Sequence, residues 1–482
     1  MKILLVANPQ NYFGIDLFFR IPNLGLCSIA GNLNGESTNV KVLDLILAGK
    51  NPKAYLLKVL KDFEPDIVGF SSMTFQYKYT LELVKATRNY SKKIKTVLGG
   101  YHSTVNYETI SQSDDMKYFD FLIRGEGEYS FRDLVKAMKN KFDFKNVPGI
   151  TYIIENNIVH NPSGCLIDLN ELNIPDRNAR IFKRGFHCMG DKSDAVETSR
   201  GCTFDCNFCS IYNMYGKSYR KYSIERVLND IRDAQSKGAK SIMMTDDNIT
   251  LDGKRYVEIC RAIIDAKLNN IKYLLQAGVN GIKRTDRLAE FMGKSGVKWV
   301  FLGIENINDD ALNSMSKDDQ FDKNDTADVI KELRGNGISI IGGFIIGHPD
   351  DTEESIRANF EFAKKSKIDF PLFNSITPYP KTKIREELLK QDLITNKDDL
   401  SRYDCWEINV RTKHLSTEKI YEIRNEIEAR YPFESGSFFW LAKRFPAYFI
   451  KLVIIVFFRK PSDVFRYLRY GFFFKRKKIK QK

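Results

Sequence analysis

The chain has 482 residues, 43% of them hydrophobic and 28% charged. That is an ordinary globular balance with room for two or three domains, not the composition of a disordered chain. A net charge of +14 suggests an anionic partner: a nucleic acid, a membrane surface or an acidic substrate. The eight cysteines are mostly isolated, which excludes a disulfide framework and points to a reducing compartment.

The N-terminal "MKILLVANPQ" is too short in its apolar core for a signal peptide and shows no small-residue cleavage site. It reads as a buried first strand. Through residues 1–140, apolar runs alternate with helical segments: "KILLVA", "VKVLDL", "DIVGFSS", "KTVLGG" and "FDFLIRG". Continuous apolar runs of this length fit parallel strands buried on both faces. The expectation is a doubly wound α/β domain of Rossmann type, with its ligand at the carboxyl ends of the strands. At those ends lie Ser71, Ser72 and Thr74, then Gly99, Gly100 and His102, then Gly125 and Glu126.

Residues 141–190 read as a hairpin, turned at Asn156-Asn157, followed by a linker. Strand–helix alternation resumes over 191–390, with strands at "DAVETS", "SIMMTDD", "KYLLQAG", "WVFLGIE", "ISIIGGFIIG" and "FPLFNSIT". Six β/α units predict a partial (β/α)6 barrel with its chemistry at the strand C-termini. Residues 391–482 are expected to be mostly helical. "STEKIYEIRNEIEARY" is an amphipathic helix, and the aromatic, aliphatic and lysine-rich end fits an interfacial helix on an anionic membrane. Its longest uncharged run, 452–458, is too short to span a bilayer. The competing reading docks this region on the core with a solvated basic tail.

Directly after the first barrel strand stands "TSRGCTFDCNFCSIY", with Cys202, Cys206 and Cys209 spaced C-x3-C-x2-C. Three thiolates on one tight loop can hold three irons of a [4Fe–4S] cubane and leave the fourth iron open. Phe208 stands beside Cys209, placed to shield the cluster or pack on a bound ligand. The alternatives are a zinc site, which wants a fourth ligand, and three unrelated core cysteines. No second spaced set of cysteines supports an auxiliary cluster.

"SRGCTFDCNFC" at the start of a β/α barrel resembles the signature of radical S-adenosylmethionine (radical SAM) enzymes. The resemblance implies that Cys202, Cys206 and Cys209 hold the cluster, and that the open iron binds the amino and carboxylate groups of SAM. It implies reductive cleavage of SAM to a 5′-deoxyadenosyl radical, with an external electron donor such as flavodoxin or ferredoxin. "MMTDDNIT" resembles the motif in which Asp246, Asp247 or Asn248 helps hold the SAM amino group, Asp247 being preferred. "FLGIEN" places Glu305 towards the ribose hydroxyls, and Arg220 is positioned to pair with the SAM carboxylate. In "GGFIIGHP", Gly342 and Gly343 would allow close approach of the adenine or methionine part. "TPYPKTK" departs from the usual Pro-Gly-Thr, with Lys381 where glycine is common.

The order "PNLGLCSIAGNLN…VKVLDL…DIVGFSSMT…VLGGYHST…RGEGE" resembles the cobalamin-binding domain fused to a radical SAM subgroup that includes methylases and the anaerobic magnesium-protoporphyrin IX monomethyl ester cyclase. Ser71, Ser72, Thr74, Gly99, Gly100, His102, Gly125 and Glu126 would then contact cobalamin. The D-x-H-x-x-G cobalt-ligating motif is absent. The implied activity is hydrogen abstraction from an unactivated carbon followed by cobalamin-dependent methyl transfer, on a hydrophobic or lipid-like small molecule. The alternatives are oxidative cyclisation without methyl transfer and a non-catalytic iron–sulfur redox sensor. No nucleic-acid-binding module is visible. The expected location is the cytoplasm, with peripheral contact at the inner face of the membrane through the C-terminus.

Overall fold

The computed structural model describes residues 1–9, 18–33, 35, 37–315, 323–436, 442, 443 and 450. The basic-hydrophobic tail expected to meet a membrane lies almost entirely outside the described residues. Among the described residues, no helix is long and apolar enough to cross a membrane.

In chain order the strands are β1 (Lys2–Ala7), β2 (Phe19–Arg20), β3 (Asn39–Asp44), β4 (Ile67–Ser71), β5 (Lys95–Gly99), β6 (Phe121–Ile123), β7 (Ile150–Ile154) and β8 (Asn157–His160). There follow β9 (His187–Cys188), β10 (Asp191–Val196), β11 (Ser199–Arg200), β12 (Arg220–Lys221), β13 (Ser241–Met244), β14 (Lys272–Gly278), β15 (Val297–Glu305), β16 (Ser339–Ile346) and β17 (Phe370–Ser375).

The first sheet runs β3-β1-β4-β5-β6-β7-β8. Its first five strands are parallel, as the apolar runs imply. Alternation along β1 divides the sheet's burial between two layers. Ile3, Leu5 and Ala7 pack with helices Leu24–Asn32 and Gly127–Asn140, while Leu4 and Val6 pack with helices Pro52–Phe63 and Tyr77–Tyr90. The order reverses across β1 and β4, which opens a crevice at the strand C-termini.

The expected hairpin is part of this sheet. β7 pairs antiparallel with β6 and with β8. Its turn falls one residue earlier than expected, at Glu155 and Asn156, both with positive φ, the backbone of a tight hairpin turn. The linker that follows is stitched down on both sides. Asp176 N–H donates to Cys27 O (2.8 Å), which brings the linker against Gly31. A Cβ on Gly31 would lie 2.4 Å from Ile174 O, so only glycine fits. On the other side, Arg177 and Arg180 both pair with Asp194 of β10, and Arg177 also pairs with Asp230.

The second sheet runs β17-β16-β15-β14-β13-β10-β9-β2. β10 and β13–β17 are the six expected strands, all parallel, and they form an open half-barrel. Two features were not expected. β9 turns back antiparallel on β10, and β2, from the N-terminal part of the chain, pairs antiparallel with β9. Phe18, Phe19 and Ile21 thereby pack with Trp299, Phe301 and Phe370 across an apolar floor.

Helix Thr417–Glu434, expected as an amphipathic helix, docks on the half-barrel; the tail to which the membrane and core-docking readings apply lies almost entirely outside the described residues. Ile420, Ile423 and Ile427 are fully buried, and Tyr431 donates to Ala363 O (3.1 Å) and Ile368 O (2.5 Å). Ile427→Ala is expected to cost about 2–5 kcal/mol of stability, the range for emptying a buried aliphatic site. Urea unfolding of the purified variant measures it.

Candidate active site

The cysteine loop leaves the top of β10 and is held by its neighbours on every side. β11 pairs with β12, so the chain doubles back after the loop. Gly201 has φ of +87°, and a Cβ there would lie 2.4 Å from Ser218 O; any other residue would displace the first cysteine. Gly201 N–H donates to Asp247 Oδ2 (2.9 Å). Asn207 donates its N–H to Met315 O (3.2 Å), and Asn207 O accepts from Ile384 N (3.1 Å). Cys209 N–H closes a turn on Cys206 O (3.1 Å).

The three thiols face one another closely enough to interact. Burial pushes the Cys209 thiol up to about 12, and Cys206, Cys202 and Asp247 add to the shift. Iron would reverse this, because a coordinating thiol is deprotonated outright. Among the described residues, no group of three or more His, Cys, Asp or Glu side chains is arranged to hold a single metal ion. Three thiolates with no fourth protein ligand suit a cluster with one open iron and not a closed zinc site.

Several expected ligand contacts have other partners. Asp246 accepts from Thr198 N–H (3.1 Å), Thr198 Oγ1 (2.6 Å) and Ser199 Oγ (2.5 Å), so it ties β13 to the cysteine loop. Asn248 accepts from Thr250 and from Gly278 N–H (3.1 Å), closing a turn. Asp247 borders the cysteine loop, where its Oδ2 accepts from Gly201 N–H. Burial, aided by Asp246, pushes its carboxyl up to about 6.

Arg220 does not await a carboxylate from outside. It is bidentate to Glu126 (2.8 and 3.0 Å) and donates to Ile167 O (2.7 Å). Phe208, partly buried, packs against a small apolar cluster that includes Ile376, Leu388 and Val410. The two glycines of β16 serve packing: a Cβ on Gly342 would meet Ile368 and Ile304, and one on Gly343 would meet the Phe301 ring. Glu305 stands at the C-terminal end of β15 with φ of +62°, a conformation rare outside glycine and concentrated at functional sites. Lys381 has φ of +63°, which explains why glycine suits that position; its ammonium pairs with Glu108 (3.1 Å).

At the C-termini of the first sheet lies a cavity of about 200 Å³. Ser71, Gly99, Gly100, Gly125 and Glu126 line it, as expected, together with Leu5, Gly69 and Phe131 from within the sheet and its helices. Nothing lies within 4 Å of a Cβ built on Gly99 or Gly125, so these glycines leave open space for a bulky group. Ser72, Thr74 and His102 are buried behind this wall. Ser72 accepts from Thr80 Oγ1 (2.9 Å). His102 stacks on Tyr77 (4.2 Å), its Nδ1 lies 3.0 Å from Asn106 Nδ2, and burial drops it to about 3. It is a neutral core residue here, not a cobalt ligand.

The sequence reading missed the group at the centre. Arg200, almost fully buried, donates from Nε to Glu197 (2.8 Å), from one terminal nitrogen to Glu126 (2.8 Å) and from the other to Glu128 (2.7 Å). Glu126 caps and Glu128 opens helix Gly127–Asn140 in the "GEGE" stretch after β6, and Glu197 stands at the top of β10. Tyr222 also donates to Glu197 (3.1 Å). Met214 and Tyr215, just past the cysteines, complete the cavity wall. Tyr101, at the start of the helix after β5, is buried next to Ser210 and Asn213, though its hydroxyl completes no hydrogen bond with either.

Comparisons with known proteins agree with this architecture. The B12 binding domain profile matches residues 13–135 and the Radical SAM superfamily profile residues 196–363. An uncharacterised methyltransferase of Pyrococcus horikoshii is 30% identical over 430 residues, covering 88% of this chain and 90% of that one. The chain belongs to the cobalamin-binding radical SAM family. It is an enzyme whose cofactors are a [4Fe–4S] cluster, S-adenosylmethionine and cobalamin, with an electron donor and a small-molecule substrate as the family's general requirements. Hopanoid C-3 methylase of Methylococcus capsulatus is 27% identical, covering 79% of this chain and 71% of that one. The anaerobic magnesium-protoporphyrin IX monomethyl ester cyclase of Rubrivivax gelatinosus is 26% identical, covering 80% and 70%. The cobalamin-dependent S-adenosylmethionine radical enzyme OxsB shares the fold, with a TM-score of 0.71, 17% identity and coverage of 98% of this chain and 75% of that one.

Two outcomes follow from the loop and its anchor. Gly201→Ala is expected to lower iron content after anaerobic reconstitution, read by iron and sulfide analysis, while the fold persists by circular dichroism. Arg200→Met leaves Glu128 and Glu197 without a cationic partner in a buried site and is expected to destabilise by about 3–5 kcal/mol, measured by denaturant unfolding.

Proposed function

We propose that the enzyme methylates an unactivated carbon of a hydrophobic, lipid-like substrate. The observation that carries this reading is the shared wall of the cavity. Gly99, Gly100 and Gly125 come from the first sheet, whereas Glu197, Arg200, Met214 and Tyr215 come from the segment that bears the cysteines. A methyl carrier on the first sheet and a radical source on the second would therefore meet in one space, as proximity catalysis requires. When bound, the cluster supplies the electron that cleaves S-adenosylmethionine, and cobalamin supplies the methyl group.

In this reading Cys202, Cys206 and Cys209 hold the cluster. Asp247 sets the loop and lies near the methionyl end of S-adenosylmethionine. Glu305 receives the ribose hydroxyls as a hydrogen-bond acceptor. Ser71, Gly99, Gly100 and Gly125 cradle cobalamin. The likeness to hopanoid C-3 methylase supports a lipid, and the likeness to the cyclase supports oxidative ring closure as the second reading. The basic, aromatic C-terminal sequence supports peripheral membrane contact.

Reconstituted enzyme with cobalamin, reductant and a lipid extract is expected to release 5′-deoxyadenosine and S-adenosylhomocysteine together, read by mass spectrometry. 5′-Deoxyadenosine without S-adenosylhomocysteine would favour the cyclase reading. Cys206→Ala is expected to abolish 5′-deoxyadenosine. A chain truncated after residue 436 is expected to lose binding to anionic vesicles; undiminished binding overturns the membrane proposal.

A further inference from the structure

We propose that Glu197 is a cobalamin-binding residue contributed by the half-barrel, its free carboxylate oxygen accepting a hydrogen bond from a carboxamide of the corrin periphery. The inference rests on cobalamin occupying the cavity between the two sheets.

Glu197 follows directly on β10, five residues before the first cluster cysteine. Its two oxygens differ. Oε2 is held by Arg200 Nε (2.8 Å) and Tyr222 Oη (3.1 Å), whereas Oε1 makes no hydrogen bond among the described residues. The side chain keeps 17% of its surface accessible, and that surface borders cavities. Glu197 lines both the cavity at the first sheet and a second, polar one of about 300 Å³ that shares Asn23, Gly25 and Arg200 with it. Oε1 is therefore the open acceptor of a side chain that borders both cavities.

Several polar groups beside it are engaged. Ser28 donates to Glu128 (2.9 Å), Asn23 Oδ1 caps its helix, and Glu126 is filled by Arg200, Arg220 and Ile167 N–H. Cobalamin carries neutral carboxamides around its ring, each with N–H donors. A carboxylate receives such a donor in a charge-assisted bond. Burial pushes Glu197 up to about 7, with Arg200 pulling it back and Asp246 and Glu128 adding to the rise. A half-satisfied buried carboxylate of this kind gains from a donor more than an exposed one.

The pH sign follows from the acceptor role. The ionised form accepts, so affinity rises as Glu197 deprotonates. The charged and titratable groups facing it are Arg200 beside it, Tyr215 past the cysteines, Tyr222 after β12, Asp246 after β13, Glu126 and Glu128 at the start of helix Gly127–Asn140, and Arg226 and Asp230 across the second cavity.

The test is equilibrium dialysis of hydroxocobalamin against the full-length, cluster-reconstituted protein between pH 6 and pH 8. The native chain is expected to bind about tenfold tighter at pH 8, one unit either side of the midpoint. Glu197→Gln is expected to bind more weakly at pH 8 and to lose the pH slope, with iron content unchanged. Tyr222→Phe, which removes one partner of Oε2, is expected to move the midpoint to higher pH. This second variant keeps the proposal testable if the first fails to fold. A native profile that is flat, or a Glu197→Gln chain with native affinity and slope, overturns the assignment of Glu197. A native chain that binds no cobalamin at all overturns the cavity reading beneath it.

Discussion

The arrangement depends on one guanidinium. Arg200 satisfies its planar fork with three carboxylates, two from the start of helix Gly127–Asn140 and one from the top of β10. Arginine alone among side chains offers donors in this fixed geometry. A buried cation with three anions is costly to desolvate, and the group persists only because every edge of the fork is paired. Arg220 adds a second cation on Glu126. Since Arg200 lies two residues before Cys202, the cysteine loop is referenced directly to the cavity on the first sheet.

That reference explains why a loop with little regular structure holds a defined place. Gly201 donates to Asp247, Asp246 collects Thr198 and Ser199, and Asn207 is pinned between Met315 and Ile384. The two neighbouring aspartates divide the work: one is consumed by the scaffold, the other borders the site. An auxiliary cluster finds no support among the other cysteines. Cys27, Cys188 and Cys260 are buried, Cys165 is exposed, and Cys405 lies 3.4 Å from the Tyr379 hydroxyl.

Much of the fold was legible because buried parallel strands are written as continuous apolar runs, and all six barrel strands and five Rossmann strands stand where such runs occur. β2 and β9 were not legible. Two-residue strands leave no periodicity, and their pairing joins segments more than 160 residues apart. The hairpin was visible but its allegiance was not, since pairing with β6 depends on what that edge leaves uncovered. Arg220 and Glu126 were expected to meet ligands, and the structure pairs them with each other.

The sequence by itself determined the chemistry. Three cysteines at fixed spacing after a strand can be recognised without coordinates, because metal ligation requires residue type and local spacing, both one-dimensional. Glycines at strand ends likewise announced the cavity. Only the tertiary structure decided which polar residues are free to act. Whether Asp246 or Asp247 faces the site, whether Arg220 is already paired, and which oxygen of Glu197 is left open are questions of partner. Partners here come from other strands, other loops and the other sheet, and the distance along the chain carries no record of them.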